Sequence, residues 1–242
     1  MSLRIRLKIE PYRMKYADYI KTIEIDALWS GRKHIMWELD PHVNILSGVN
    51  GGGKSTILRR AMTGVKRVDE DAANGIHVTT EPADAEYVRF DWIATPDVRS
   101  EYDINLLSLV ERYNAMEHDP ERQTVLFDVI DKRFDATQKT VNRNEKEFTM
   151  MFWEEPLDLR VLSSGEKQML TILLAVYLEN NEHYVLFMDE PEVSLHIDWQ
   201  QRLIDLILEL NPNVQIILTT HSPAVIMNGW ADHVTEVSDI TD

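Results

Sequence analysis

A glycine-rich loop that ends in lysine and serine is the stretch of this 242-residue chain with the clearest chemistry. Residues 48–56 read Gly-Val-Asn-Gly-Gly-Gly-Lys-Ser-Thr, between an apolar, β-prone run (43–46) and a helix-like segment (56–62). Glycine lets the backbone fold closely around an anion, so that several N–H groups point at it. The start of the following helix adds partial positive charge. The spacing G-x-x-x-x-G-K-S in this strand–loop–helix context predicts a phosphate-binding P-loop.

The P-loop predicts a nucleotide and Mg²⁺ as ligands. We expect Lys54 to reach the β- and γ-phosphates and the hydroxyl of Ser55 to bind the metal ion. An incidental glycine turn beside a lysine is disfavoured, because a strand and a helix flank the loop in the required order. The predicted nucleotide contacts of the loop are Asn50, Gly51, Gly52, Gly53, Lys54, Ser55 and Thr56.

An acidic pair ends a second apolar run. Residues 184–189 read Tyr-Val-Leu-Phe-Met-Asp, and Glu190 follows. An all-apolar strand fits the centre of a parallel sheet, and its carboxyl end opens onto the crevice where such sheets bind ligands. We expect Asp189 to hold Mg²⁺ through water and Glu190 to orient or deprotonate the attacking water. A solvated acidic turn is the alternative, which a P-loop in the same chain disfavours.

A serine–glycine stretch precedes a long apolar segment with a helical pattern. Residues 162–168 read Leu-Ser-Ser-Gly-Glu-Lys-Gln, and Ser163 and Glu166 have the spacing of a capping box. Taken in isolation, these residues would be explained by helix capping alone. Their position between the P-loop and the acidic pair favours a functional interpretation instead.

The order of these motifs resembles that of ABC-class ATPase domains. The P-loop, the Leu-Ser-Ser-Gly-Glu signature, the acidic pair and a downstream His221 follow one another between residues 43 and about 223. The runs Asp-Glu-Pro-Glu-Val-Ser-Leu-His (189–196) and Thr-Thr-His-Ser-Pro (219–223) resemble the SMC, RecF and OLD group of chromosome-maintenance and phage-defence ATPases. The resemblance implies an α/β fold of the P-loop NTPase, ABC-ATPase type, with a mixed or parallel central sheet.

The resemblance also implies ATP with Mg²⁺ as the ligand and a shared site. Two copies would form a homodimer around ATP, head to tail, with Ser163 and Gly165 of one copy donating to the γ-phosphate held by the other. His221 would contact the same phosphate within its own copy, and Ser194 with His196 would form the D-loop between the two sites. The implied catalytic residues are Lys54, Glu190 and His221, and the implied metal ligands are Ser55 and Asp189.

Three departures from the family pattern leave details open. The run 87–93 ends in Ala-Thr-Pro-Asp, so the glutamine of the family's Q-loop has no clear counterpart. Ser164 and Glu166 stand where the signature usually has glycine and glutamine, and His196 stands where many members have aspartate.

The apolar patterns predict one domain, residues 1–242, with an N-terminal β-rich layer and an inserted helical arm or lid at about 97–146. Helix starts are predicted near Ser100 and at Asp119-Pro120. Only 106 residues separate Thr56 from Ser163, which excludes a long coiled-coil tether. The predicted strands are 4–9, 20–25, 35–39, 43–47, 76–80, 87–93, 184–189, 214–219 and 233–237. The predicted C-terminal helices are 166–180, 198–210 and a short one after Ser222-Pro223.

Composition narrows the class of protein. The absence of cysteine excludes disulfides, thiolate catalysis and cysteine zinc sites. No run of about 18 apolar residues exists, and the N-terminus lacks the apolar stretch of a signal peptide, so we expect a cytoplasmic protein without membrane insertion. The net charge of −16 does not favour DNA binding, and acids interrupt the densest basic cluster (132–146). Direct nucleic-acid binding stays open.

Six tryptophans raise the question of an adenine-stacking residue. Trp29 and Trp37 lie upstream of the P-loop, where related transporters keep an aromatic, while core packing explains most tryptophans.

Three functions follow from these patterns. The favoured hypothesis is an ATP-hydrolysing switch that controls an effector, a nuclease or toxin docked on the arm 97–146, in phage defence or DNA maintenance. The second is the nucleotide-binding subunit of a membrane transporter, against which the run 189–196 and the missing Q-loop glutamine count. The third is a nucleotide sensor without turnover, against which Glu190 counts.

Overall fold

The fold is taken from a computed structural model, which describes residues 14–29, 31–66, 75–94 and 104–242. The predicted strand 4–9 and the predicted helix start near Ser100 lie outside these described residues. The described strands are β1 Tyr19–Leu28, β2 Lys33–Glu38, β3 Val43–Ser47, β4 Ile76–Glu81, β5 Phe90–Ile93, β6 Lys139–Val141, β7 Met150–Phe152, β8 Glu155–Leu157, β9 Tyr184–Asp189, β10 Val214–Thr219 and β11 Val234–Glu236. The described α-helices are α1 Lys54–Lys66, α2 Leu106–Ala115, α3 Pro120–Phe134, α4 Ser164–Leu178, α5 Ile197–Gln200, α6 Leu203–Leu210 and α7 Pro223–Met227.

A parallel sheet in the order β11-β3-β10-β9-β5 forms the centre of the molecule. Its register places Thr219 of β10 beside both Leu46 of β3 and Asp189 of β9. The P-loop, the acidic pair and the turn that carries His221 therefore leave the sheet at the same edge. Because ligands bind at the carboxyl ends of parallel strands, the topology alone brings three of the predicted motifs to one place.

Apolar residues on the two faces of this sheet enter two separate cores. On β9, Tyr184, Leu186 and Met188 belong to a cluster with α3, α4 and α6. Val185 and Phe187, which point the other way, belong to a cluster with α1 and the antiparallel sheet β2-β1-β4. A strand that is apolar throughout is thus buried on both sides, as its composition predicts.

A buried glutamine joins the antiparallel sheet to the parallel one. The side chain of Gln215 on β10 is fully buried, and its Oε1 accepts from the N–H of Ile20 at 2.8 Å. Its Nε2 donates to the carbonyls of Ile20 at 2.8 Å and Asp40 at 2.9 Å. Because the polar atoms of this buried amide are hydrogen-bonded, the amide fixes the position of the antiparallel sheet against the parallel one.

The region between the P-loop and the signature contains α2, α3 and a small antiparallel sheet, β6-β7-β8. Asp119 caps α3 by accepting from the N–H of Glu121 at 3.0 Å and of Arg122 at 2.9 Å, as predicted. The apolar faces of α2 and α3 lie in the same buried cluster as α4. The described part of the predicted arm, 104–146, is therefore largely a layer packed on the domain.

Several boundaries differ from the prediction. Helix α4 begins two residues earlier than predicted because Ser163 caps it there. The predicted helix 198–210 is two helices, α5 and α6, and β5 is shorter than predicted because Tyr87 pairs instead with Tyr16. None of the described helices has the length and apolar character needed to cross a membrane.

Candidate functional site

Lys54 is a buried ammonium group at the head of the P-loop. Its side chain lies in the turn from β3 to α1, and the residue is 4% exposed. Its Nζ donates to the carbonyls of Gly48 at 3.0 Å and Val49 at 3.4 Å, and lies 2.6 Å from Nε2 of His221. Within the described chain, no carboxylate lies within ion-pair distance of this nitrogen. Because a buried charge is costly without a counter-charge, the site is electrostatically matched to an anionic ligand.

A cleft of about 660 Å³ opens in front of this lysine. That volume is within the range of small-molecule and cofactor sites. Gly52 is not among the lining residues, and its N–H donates within the loop to the carbonyl of Val49 at 3.0 Å. The lining consists of Trp29, Asn50, Gly51, Gly53, Lys54, Ser55, Thr56, Glu190 and His221.

Trp29 forms one wall of the cleft. A Cβ atom at Gly53, whose φ is +95°, would lie 2.2 Å from a carbon of the indole ring, so the ring lies directly against the P-loop backbone. Trp37, by contrast, is 1% exposed and belongs to the core beneath the antiparallel sheet. Of the two tryptophans considered for adenine stacking, burial removes Trp37, and Trp29 has the accessible position.

The acidic pair is divided between the core and the cleft. Asp189 is buried, and its Oδ1 accepts from Oγ1 of Thr219 at 2.7 Å while its Oδ2 lies 3.5 Å from Arg59. Glu190 has a φ of +48°, and its N–H donates to Oγ1 of Thr219 at 3.1 Å. A left-handed backbone is unfavourable for a residue other than glycine. Here that conformation turns the Glu190 carboxylate into the cleft.

His221 connects the lysine and the glutamate. Its Nε2 lies 2.6 Å from Nζ of Lys54 and 3.5 Å from Oε1 of Glu190. An imidazole nitrogen that accepts from an ammonium carries no proton, so it does not at the same time donate to the carboxylate. His221 thus contacts both of the other predicted catalytic residues, and a phosphate beside it would meet a cation, a ring nitrogen and a carboxylate.

The donor set fits Mg²⁺. This ion takes oxygen ligands, and the cleft offers the Ser55 hydroxyl together with the buried carboxylate of Asp189 behind it. Ser55 and Asp189 are the residues that would hold the ion, and their assignment as metal ligands stays a prediction.

The signature lies at the capped start of α4. The hydroxyl oxygen of Ser163 accepts from the N–H of Glu166 at 3.3 Å, and the Glu166 carboxylate accepts from the N–H of Ser163 at 2.9 Å. Burial by itself would raise the pKa of Glu166, but hydrogen bonds from Lys139, Ser163 and Thr137 together lower that pKa. A Cβ atom at Gly165 would lie 2.3 Å from the carbonyl oxygen of Ser194, which shows close contact with the predicted D-loop. Neither Ser163 nor Gly165 lines the cleft of the same chain.

Residues 78–228, more than half of the chain, match the family described as "AAA domain, putative AbiEii toxin, Type IV TA system". The chain belongs to this family. In this AAA domain, the signature, the acidic pair and His221 lie within the matched segment, and the P-loop lies ahead of it.

A curated relative and two solved structures extend the comparison. The Retron Vc95 probable ATPase of Vibrio cholerae serotype O1 biovar El Tor is 30% identical over 90 residues, which are 33% of this chain and only 18% of that relative. The SMC head domain from Thermotoga maritima has a TM-score of 0.55 at 15% identity, over 90% of this chain and 94% of that one. An SMC head bound to the C-winged helix domain of ScpA has a TM-score of 0.54 at 13% identity, over 87% and 92%. The predicted P-loop NTPase fold of ABC-ATPase type and the resemblance to the SMC and ABC group are confirmed.

Sequence reasoning missed some residues that build the site of this AAA domain. Thr219 bonds both acidic residues, Arg59 approaches Asp189 from α1, and Glu192 holds the turn that carries His221. The available signal was the rule already applied to β9, because Thr219 and Thr220 are polar residues at the carboxyl end of the apolar strand β10. Their position at the strand end would have predicted that these two threonines lie at the site, but not which residues they contact.

Proposed function

We propose that this AAA domain binds and hydrolyses ATP to ADP and phosphate with Mg²⁺, and works as a switch that dimerises around ATP and regulates an effector protein. The observation that carries the proposal is the buried Lys54, whose partners among the described residues are all neutral and which faces a cleft shared with Glu190 and His221. Such a cation requires an anion, and the adjoining carboxylate and imidazole are the groups that phosphoryl transfer to water uses.

Each group has a part in that chemistry. The loop N–H groups and Lys54 bind the phosphates, and Glu190 orients the attacking water and takes up its proton. His221 would contact the terminal phosphate from its position beside Lys54 and Glu190. When bound through Ser55 and Asp189, Mg²⁺ supplies charge neutralisation on the phosphate oxygens.

The signature supports a homodimer. Ser163 and Gly165 are at the N-terminus of a 15-residue helix, a position suited to phosphate, yet they lie outside the cleft of their own chain. A second copy would bring them to the nucleotide. Their position outside that cleft supports the proposal that the signature acts on the nucleotide of a partner.

The effector is inferred from the relatives. The family description names a toxin and a type IV toxin–antitoxin system, and one relative is a retron ATPase. A nuclease or toxin that docks on residues 104–146 is the partner we propose for a role in phage defence or DNA maintenance. The net charge of −16 makes a protein partner the better fit than a nucleic acid.

Phosphate release and ATP binding by three variants test the proposal. Lys54→Ala should bind no measurable ATP, whereas Glu190→Gln should bind ATP, release almost no phosphate and elute as a dimer with ATP and Mg²⁺. Glu38→Gln, which changes an exposed carboxylate on β2, is the matched control and should behave like wild type. A Glu190→Gln variant that stays monomeric with ATP would rule out the sandwich, and equal, negligible release by wild type and Glu190→Gln would favour a sensor without turnover.

A further inference from the structure

Glu192 is a buried carboxylate beside the proposed catalytic residues. It lies two residues after Glu190 and is 5% exposed. Its Oε1 accepts from the hydroxyl of Thr220 at 2.6 Å and from the backbone N–H of His221 at 3.0 Å. One carboxylate oxygen therefore holds both the backbone of His221 and the side chain of the residue before it.

The burial of Glu192 is unfavourable for stability alone. Within the described residues, no cation lies within ion-pair distance of this carboxylate, and its Oε2 is shielded from solvent without a hydrogen-bond partner. A buried carboxylate without a cation costs several kcal/mol unless hydrogen bonds compensate. A residue that breaks the rules of core composition next to a functional site is expected to serve that site.

A closed ring of hydrogen bonds continues from Glu192 around the turn. Oγ1 of Thr220 accepts from the N–H of Ser222 at 2.9 Å, and the Ser222 hydroxyl donates to Oε1 of Gln200 at 2.6 Å. Nε2 of Gln200 then donates to the carbonyl of Glu192 at 3.2 Å and to that of Leu195 at 2.8 Å. The turn 220–222 is thus held by Glu192 on one side and by Gln200 of α5 on the other.

The position of the His221 ring depends on this turn. The imidazole reaches Lys54 and Glu190 from the end of β10, and only two side-chain torsions separate its nitrogen from the backbone. A backbone displacement at 220–222 is therefore passed on almost directly to Nε2. Displacements of about 1 Å at a reacting group can lower a rate by about 100-fold.

We propose that Glu192 is a positioning residue that acts through Thr220 and the backbone of His221 to hold the imidazole against the terminal phosphate. This inference rests on the proposed ATPase function. Glu192 contacts neither nucleotide nor water in the reaction, and its effect on turnover passes entirely through His221.

Paired substitutions separate this role from general stability. Glu192→Ala and Thr220→Val remove the interaction, whereas Glu192→Gln keeps an acceptor oxygen and Thr220→Ser keeps the hydroxyl. Glu192→Ala and Thr220→Val should each lower kcat by about 10- to 100-fold and leave the Kd for ATP within about threefold of wild type. Glu192→Gln and Thr220→Ser should keep most of the turnover. Thr124→Val, which removes an exposed hydroxyl on α3, is the control for loss of a threonine hydroxyl.

A double-mutant cycle provides the decisive test. In a His221→Ala background, Thr220→Val should cause no further loss of kcat, because two residues that act through one group are not additive. Fully additive losses, or Glu192→Gln as impaired as Glu192→Ala, would refute the positioning role. If Glu192→Ala does not fold, the Thr220 pair carries the same test. Unchanged phosphate release by Lys54→Ala and His221→Ala would instead refute the ATPase proposal itself.

Discussion

The two halves of the proposed site differ in how far each is complete within one chain. Among the described residues, the P-loop half contains a buried ammonium without a carboxylate in ion-pair distance and a carboxylate turned into an open cleft. The signature half is internally satisfied, because Ser163 caps α4 and Glu166 is paired with Lys139 at 2.7 Å. One half is therefore suited to bind an anion, whereas the polar groups of the other half are paired within the chain.

This difference shows why the signature looks purely structural in one chain. The Ser163 oxygen accepts in the capping box and its hydroxyl also bonds the Glu166 carboxylate, so the hydroxyl must turn away from Glu166 to donate to a phosphate. Ser164 and Gly165, as the first residues of α4, have no intrahelical acceptor for their N–H groups. Capping and phosphate binding are thus compatible, and the second use requires that a partner bring a phosphate to the helix end.

Blocking the signature half alone is the strongest test of the difference between the two halves. Ser163→Arg fills the space in front of α4 and should lower phosphate release by about 100- to 1,000-fold, as loss of preorganised donors to a developing charge does. The Kd of the monomer for ATP should stay close to that of wild type, because Ser163 lies outside the cleft of its own chain. Isothermal titration with a non-hydrolysable ATP analogue measures the affinity. A large loss of affinity in the monomer would show that the signature acts in cis.

The complementary change targets the P-loop half. Gly53 has a φ of +95°, and a Cβ there would overlap the Trp29 ring, so Gly53→Ala should weaken ATP binding by about 10- to 100-fold. The double variant Gly53→Ala/Trp29→Ala removes the overlap but keeps the backbone strain, and its affinity should recover only partly. Gly31→Ala, at a positive φ in open space, is the control for strain alone. Full recovery in the double variant would show that the indole, and not the backbone, limits binding.

The elements that sequence could predict are those whose residues carry their own pattern. Strands β3, β9 and β10 were predicted with the observed bounds, because each is an apolar run that ends at a motif. The sheet β6-β7-β8 was missed because strands of three residues are too short to show alternation. The site was predictable for the same reason. Its motifs follow apolar strands, and a parallel sheet brings the carboxyl ends of these strands to one edge whatever the sequence of the loops.

What sequence could not predict are the contacts across long separations. Glu192 and Thr220 are 28 residues apart, and nothing in the period of either segment indicates that they share a hydrogen bond. Trp29 and Trp37 look equivalent upstream of the P-loop, yet the face of β2 that packs on the core decides that Trp37 is buried. Such contacts and differences in burial depend on how one layer packs on another, and local sequence patterns carry no information about that packing.

The smallest of the expected effects concerns the stability of the signature half. The side chains of Lys139 and Glu166 are 16% and 6% exposed, and Lys139→Met would leave a buried carboxylate without its cation, at a cost of about 2 kcal/mol at pH 7. Lys21→Met, which breaks the exposed pair with Glu81, is the control and should cost under about 0.5 kcal/mol.

The pH dependence of this cost follows from the sign of the shift. The pKa of Glu166 is lowered in the folded protein, so its contribution is present above the usual value of 4.5 and is lost as pH falls through the folded pKa. Lys139 makes the strongest hydrogen bond that lowers this pKa, so Lys139→Met raises the pKa above its wild-type value, and the variant gains less stability than wild type as pH rises. The difference in unfolding free energy between wild type and Lys139→Met should therefore grow from pH 4 to pH 7 in urea titrations. A difference independent of pH would mean that Lys139 stabilises α4 through its aliphatic chain, and the signature half would then be held by packing rather than by charge.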